Sequence, residues 1–288
     1  MTVKDILNNN EITISFEVFP PKTEDGFESV EAAAKEIAGL HPHFMSVTYG
    51  AGGGISKNTS NLAAHIQDRY NTPVIAHLTC VSSTKEFVRN VLDDYRSKGI
   101  RNVMALRGDI PKEGRFVFDY NHASELIYDI KSADPDICIG GACYPEGHIE
   151  CERQSEDIMH LKEKVDAGCD FLTTQMFFDN NLFYNFLYKI REAGITCPII
   201  PGIMPITNAN QVARAIQLSG SFMPQRFKSL VDAFGGSPEA MCQAGIAYAT
   251  DQIIDLYANG IRFVHVYSMN KPNVAKAILD NLSEILTR

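Results

Sequence analysis

Eight short apolar runs alternate with longer amphipathic segments along this chain of 288 residues, the pattern of an α/β protein built as a (β/α)8 TIM barrel. Two further observations favour a closed barrel over an open, doubly wound sheet. The first apolar run is followed by "FPPK" where a doubly wound fold usually carries a glycine-rich phosphate turn, and neither GxGxxG nor GxxxxGK[ST] occurs in the chain. The triplets "KGI", "AGC" and "NGI" stand just before apolar runs, as expected where a helix ends on glycine and the chain turns into the next strand.

The first strand is "ITISFEVF" from Ile12, closed by Pro20 and Pro21, which cannot extend it. "FMSVTYG" from Phe44, "PVIAHLTC" from Pro73 and "NVMALRGD" from Asn102 give the next three. "CIGGACYP" from Cys138, "FLTTQMFF" from Phe171, "PIIPGIMP" from Pro198 and "FVHVYSMN" from Phe263 complete the set. Between them, "STKEFVRNVLDDYRSKG", "SEDIMHLKEKVDAG" and "NNLFYNFLYKIREAG" have helical periodicity and begin at Ser or Asn caps. The connection from Ile206 to Arg262 is longer than the others. Its segments "NANQVARAIQLSG", "PQRFKSLVDAF" and "SPEAMCQAGIAYATDQIIDLYANG" predict two or three extra helices between strands 7 and 8. No Pro/Ser-rich linker interrupts the pattern, so residues 1–288 are expected to form one barrel domain.

Composition narrows the function classes. With 45% hydrophobic and 21% charged residues, the chain has ordinary globular make-up. A net charge of -9 without a Lys/Arg-rich tract argues against a nucleic-acid partner. The start "MTVKDILNNNE" has no signal-peptide layout, and no apolar run reaches the ~20 residues that span a bilayer. A cytoplasmic enzyme of small molecules, with no membrane partner, is the expectation. The seven cysteines are scattered and never form CxxC, so free thiols are expected rather than disulfides. Cys143, His148 and Cys151 are spaced unlike a zinc site, and no metal is expected.

Alternation assigns the polar residues. In the first strand Ile12, Ile14, Phe16 and Val18 share one parity and suit the helix layer, whereas Thr13, Ser15 and Glu17 share the other and turn inward. The two prolines place Glu17 near the C-terminal end of its strand, the face on which barrel enzymes build their sites. Thr48 and Tyr49, His77 and Thr79, Arg107 and Asp109 around Gly108, and Tyr144 end the next four strands, with His148 just beyond. Gln175 lies on the sixth, and Tyr267, Asn270 and Lys271 close the last. Each has a structural explanation: a strand-end salt bridge for Glu17, a core hydrogen bond for His77, mutual pairing for Arg107 and Asp109, aromatic core for Tyr144. Their coincidence at one end of the barrel is what points to a site. One isolated carboxylate, a basic and an acidic group, aromatics and an amide suit a planar polar heteroaromatic and one proton transfer. A Schiff-base aldolase is disfavoured, because no strand carries an inward lysine and Lys164 lies on a helix.

"SFEVFPPK", "SVTYGAGG", "HLTC", "ALRGD", "YPEGH", "LKEKVDAGCDFLTTQMFFD", "PGIMPITN" and "VYSMNK" together resemble the methylenetetrahydrofolate reductase family, in order from Ile12 to Lys271. The chain resembles the short bacterial form, a catalytic barrel alone. The resemblance implies a non-covalent flavin, FAD before FMN, and ping-pong reduction of methylenetetrahydrofolate to methyltetrahydrofolate. NADH, NADPH or a protein reductant stands as the electron source. It further implies a homo-oligomer, with a partner reductase subunit as an alternative. By the same resemblance Glu17 is the general acid, and Asp109 tunes the flavin and contacts the folate. Gln175, Gln211 and Lys271 are implied folate contacts. Thr48, Tyr49, Ala51, His77, Arg107, Gly108, Asp109, Ala123, Tyr144, His148, Asp157 and Lys164 are implied flavin contacts. The chain departs from familiar members in two places. No aromatic stands among Arg214 to Ile216, where they carry a stacking ring, and Glu163 replaces a basic residue. A flavin-free barrel lyase and a non-catalytic folate- or flavin-binding subunit are the competing classes, separated by the protein's visible spectrum.

Overall fold

A computed structural model describes residues 1–9, 11–21, 26–49, 56–81, 83–110 and 119–287, with backbone alone at 56, 57, 214 and 218. Its strands are β1 (Thr13–Val18), β2 (Phe44–Val47), β3 (Val74–Thr79), β4 (Asn102–Leu106), β5 (Cys138–Cys143), β6 (Phe171–Thr174), β7 (Ile199–Ile200), β8 (Gly202–Ile203) and β9 (Phe263–Tyr267). Neighbours pair in parallel in the order β7-β6-β5-β4-β3-β2-β1-β9-β8. The expected seventh strand is thus two segments. β7 pairs with β6 and β8 with β9, so the ring closes through one run broken at Pro201. Proline has no N–H for the ladder, although its carbonyl still accepts from His265 N at 2.9 Å. The (β/α)8 expectation holds once these two segments are counted as one stave.

The helices are α1 (Val3–Asn8), α2 (Phe27–Ala38), α3 (Ser56–Tyr70), α4 (Lys85–Ser97), α5 (Ala123–Ala133), α6 (Gln154–Asp166), α7 (Asn180–Glu192), α8 (Asn210–Ser219), α9 (Gln225–Phe234), α10 (Pro238–Ala258) and α11 (Pro272–Leu286). Three of them, α8 to α10, fill the long connection, as its length predicts. Thr84 caps α4 by accepting from Phe87 N, and Asp179 caps α7 by accepting from Asn181 N. α6 begins at Gln154, ahead of the expected Ser155 cap, and no side chain caps it. Gly99 and Gly168 follow α4 and α6 with φ of 67° and 113°, conformations that turn the chain back into β4 and β6 and that L side chains rarely adopt.

Parity along β1 is as expected. Ile14, Phe16 and Val18 are buried with Ile37, Leu62, Val264 and Ile278 in the layer between strands and helices. Each large aliphatic side chain buried in this way contributes about 1.5–3 kcal/mol. A second layer closes the opposite end of the barrel. Val3, Ile6 and Leu7 of α1 pack under Phe44, Ile75, Met104, Phe171 and Ile200. The helix is held by a Thr2/Asp5 capping box, by Val3 N donating to Asn102 Oδ1 at 2.7 Å, and by Lys4 on Asp170 at 2.8 Å. Asp170 also accepts from Lys131 Nζ and Ile139 N, each at 2.9 Å. Burial would raise its carboxyl, but these donors hold it below the usual carboxylate range. Among the described residues no helix is long and apolar enough to cross a membrane.

Candidate active site at the barrel mouth

The C-terminal ends of the strands surround a cavity of about 1080 Å³, at the upper end of the range for small-molecule and cofactor sites. Glu17, Thr48, Tyr49, His77, Arg107 and Gly108 line it on one side. Asp109, Ala123, Tyr144, His148, Asp157, Lys164 and Gln175 complete the set of expected residues found there. The structure therefore brings together side chains that span more than half the sequence. Ala51 lies outside the described residues. Gln211 and Lys271 stand apart from the lining and meet at Thr207 instead. Gln211 Oε1 accepts from Thr207 N at 3.2 Å, and Lys271 Nζ donates to Thr207 Oγ1 at 2.7 Å.

Glu17 stands next to Ser46 of β2 and Tyr267 of β9 in the strand register. Burial pushes its carboxyl up to about 8, a rise that a hydrogen bond donated by the Ser46 hydroxyl would oppose. One-fifth of the side chain is open, and it opens onto the cavity, so desolvation is incomplete while the cavity holds water. His77 Nε2 lies 3.8 Å from Glu17 Oε2, beyond hydrogen-bond reach, and has no hydrogen-bond partner among the described residues. Burial holds this imidazole down to about 4. At neutral pH the two groups therefore face each other as a carboxylic acid and a neutral imidazole, not as an ion pair. Tyr267 Oη donates to Thr174 O at 2.5 Å, which fixes the phenol beside Glu17.

Cations line the far side. Lys164 Nζ donates to Ala142 O at 3.0 Å. Arg107 forms a bidentate pair with Glu150, at 2.6 and 2.9 Å, and not with Asp109. Gly108 has φ of 87°, and a Cβ there would meet Val81 Cγ1 at 2.8 Å, so the backbone comes close to the wall only because the side chain is absent. Tyr144 and His148 stack edge to face with ring centroids 4.6 Å apart, and Asp157 Oδ2 accepts from His148 N at 3.2 Å. Ala215, beside the missing stacking aromatic, is buried against Met176, Phe178 and Phe227.

Three lining or supporting residues escape a reading by strand ends. Ser46, in register with Glu17, and His265, in register with Ser15 one step deeper, share its parity, and alternation in "FMSV" and "FVHVY" could have found them. Glu150 sits in a loop, where no periodicity marks it.

Comparison with known proteins gives one consistent result. A family model described as methylenetetrahydrofolate reductase matches residues 2–283. "Methylenetetrahydrofolate reductase (NADH) 1" of Arabidopsis thaliana is 35% identical over 299 aligned residues, covering 98% of this chain and 50% of that protein. "5,10-methylenetetrahydrofolate reductase" of Escherichia coli (strain K12) is 34% identical over 286, covering 97% of this chain and 95% of that protein. The chain thus spans about half the length of the plant relatives it matches and nearly all of the bacterial ones. Among solved structures, a Clostridium thermocellum protein described as binding two copies of 5-methyl-5,6,7,8-tetrahydrofolic acid superposes with a TM-score of 0.66. It is 15% identical, covering 99% of this chain and 98% of that one, a likeness of fold.

Proposed function

The chain belongs to the methylenetetrahydrofolate reductase family, and from that premise we propose that it reduces 5,10-methylenetetrahydrofolate to 5-methyltetrahydrofolate with a bound flavin. The observation that carries this reading is a carboxyl, Glu17, buried at the barrel mouth and lining the cavity, where burial favours its proton-bearing form. Opening the five-membered folate ring to its reactive iminium requires a proton on the departing nitrogen. Glu17 supplies that proton: its O–H bond breaks as the carbon–nitrogen bond of the ring breaks, and the carboxylate that forms is reprotonated before the next turnover. A general acid whose range lies near the working pH is both loaded and able to give up its proton.

The residues present fit a flavin. The cavity is large enough for a dinucleotide, and the buried His77 Nε2 lacks a partner that a ligand would provide. Lys164 and Arg107 supply the cations for a pyrophosphate, which favours FAD over FMN. Thr48, Tyr49, Gly108, Ala123, Tyr144, His148 and Asp157 shape the remaining walls, with Ala51 assigned by resemblance alone. When bound, the flavin supplies the hydride, delivered to it by NADH or NADPH. Asp109 sets a negative charge at the mouth that favours the cationic iminium, and Gln175 contacts the pterin. Gln211 and Lys271, joined through Thr207, form the outer rim where the remainder of the folate lies. A homo-oligomer is the assembly we expect.

Anaerobic stopped-flow measurement of the two half-reactions tests this. Glu17→Gln is expected to slow flavin reoxidation by methylenetetrahydrofolate ~10²–10⁴-fold, the usual span for a lost general acid, with flavin reduction by the donor little changed. Equal loss in both half-reactions would refute the role of Glu17. A colourless protein that takes up no added flavin would refute the function.

A further inference from the structure

Beneath Glu17 lies a buried polar chain that the proposed reaction does not yet use. The strand register sets Ser46 beside Glu17 and His265 beside Ser15. Ser46 Oγ is 2.9 Å from His265 Nε2, Ser15 Oγ is 2.7 Å from His265 Nδ1, and Ser15 Oγ donates to Val264 O at 3.1 Å. His265 is 3% exposed, stacked on Phe44 at 6.0 Å and edge-on to Tyr267 at 5.7 Å. The chain ends at a backbone carbonyl rather than at solvent, so it is not a route for protons to bulk water.

We propose that His265 is a positioning residue which keeps Glu17 in its proton-bearing form by claiming the single hydroxyl hydrogen of Ser46. The inference rests on the reading of Glu17 as the proton donor. The titratable groups around His265 are His77 of β3, Tyr267 of its own strand and, beyond Ser46, Glu17 of β1, and burial favours the neutral form of each. Burial, and His77 after it, hold His265 down to about 3, so the ring is neutral and one nitrogen carries the hydrogen.

Two arrangements satisfy such a chain. In the first, Nδ1–H donates to Ser15, whose hydroxyl donates to Val264 O; Ser46 donates to Nε2, and its oxygen is then an acceptor for the Glu17 carboxyl proton. In the second, Nε2–H donates to Ser46, and Ser46 donates to a Glu17 carboxylate. Ser15 must then turn to Nδ1 and abandon Val264 O. The first arrangement makes one more hydrogen bond and requires Glu17 protonated. Ionisation of Glu17 therefore reverses the whole chain and switches the tautomer of His265 without charging it.

The chain can be tested in the flavin-bound protein without turnover. ¹⁵N NMR of the labelled imidazole reads the tautomer, and infrared difference titration, with Glu17→Gln as the blank, reads the carboxyl. In the wild type, His265 should change from Nδ1–H to Nε2–H with the same midpoint as Glu17, and never become an imidazolium. His265→Phe removes the chain but risks the fold. Ser15→Ala removes one hydroxyl, leaves Nδ1–H without an acceptor, and should fix the Nε2–H tautomer. The Glu17 midpoint should then fall by about one pH unit, the worth of one hydrogen bond. The alkaline limb of the folate half-reaction should fall with it, while the rate below that limb and flavin reduction by the donor stay unchanged. A Glu17 midpoint unmoved in Ser15→Ala, or a His265 tautomer that still switches with pH in Glu17→Gln, would overturn the inference. If the midpoint moves but neither wild type nor variant reduces folate, the positioning chain stands and the folate reading falls.

Discussion

Replacing Glu17 by Gln should make the ligand-free protein more stable, by an amount that depends on pH. In the unfolded chain the carboxyl titrates at its ordinary value of 4.5, whereas burial holds it near 8 in the folded protein. Below 4.5 both states carry the proton and the group costs nothing. As the pH rises, the unfolded state releases its proton while the folded state retains it, so folding loses free energy until the folded group also ionises. From 4.5 to neutrality, at about 1.4 kcal/mol per pH unit, the cost reaches about 3 kcal/mol. Because one-fifth of the side chain faces the open cavity, the realised cost is smaller, of the order of 2 kcal/mol. Gln occupies the same space and cannot ionise. Urea midpoints for wild type and Glu17→Gln should nearly coincide at pH 4.5 and separate progressively to pH 8, beyond which the gap levels off. At neutral pH the variant should melt roughly 5 °C higher. A gap of the same size at every pH, or one that narrows as pH rises, would refute the idea that Glu17 is held protonated by burial. A retained residue that weakens the fold is what a site chosen for chemistry looks like.

Two further outcomes follow from the ion pairs. Glu150→Gln frees Arg107 for an anionic ligand and should tighten FAD binding by up to about five-fold at low ionic strength, because an exposed pair is worth only ~0.2–1 kcal/mol; fluorescence titration should show the gain shrinking in salt. Asp170→Asn leaves Lys4, Lys131 and the Ile139 N–H sharing a weaker acceptor at the barrel floor and should cost about 3 kcal/mol at neutral pH without altering flavin affinity. Since the folded Asp170 carboxyl lies below its ordinary range, its contribution is present above the unfolded value and fades as pH falls through the folded one, so the difference in urea midpoint should diminish in acid.

Alternation made the interior legible because it is local. Once Pro20 and Pro21 end the first strand, the side on which Glu17 falls follows from the residues beside it, and the same logic gathers His77, Arg107 and Gln175 at one face. Partners chosen by loops were hidden. Arg107 pairs with Glu150, 43 residues away, rather than with nearby Asp109. No local rule puts Gln211 and Lys271 on a shared Thr207. The break at Pro201 was visible as a proline, but that both halves of the run would pair, one with each neighbour, depends on closing the ring. The short helix α1 leaves little trace in the sequence although Thr2 and Asp5 form its cap, because six residues carry too little periodicity to stand out.

That small helix has a consequence for traffic. With Val3, Ile6 and Leu7 packed beneath Phe44, Met104 and Phe171, the barrel is a cup and not a tube. Everything that reaches Glu17 arrives over the lip and leaves over it. Were a flavin bound there, two ligands needing its same face would have to queue at one doorway, each departing before the next could enter. On this view the order of events would be imposed as much by the packed layers beneath Glu17, with α1 as their floor, as by any group at the rim.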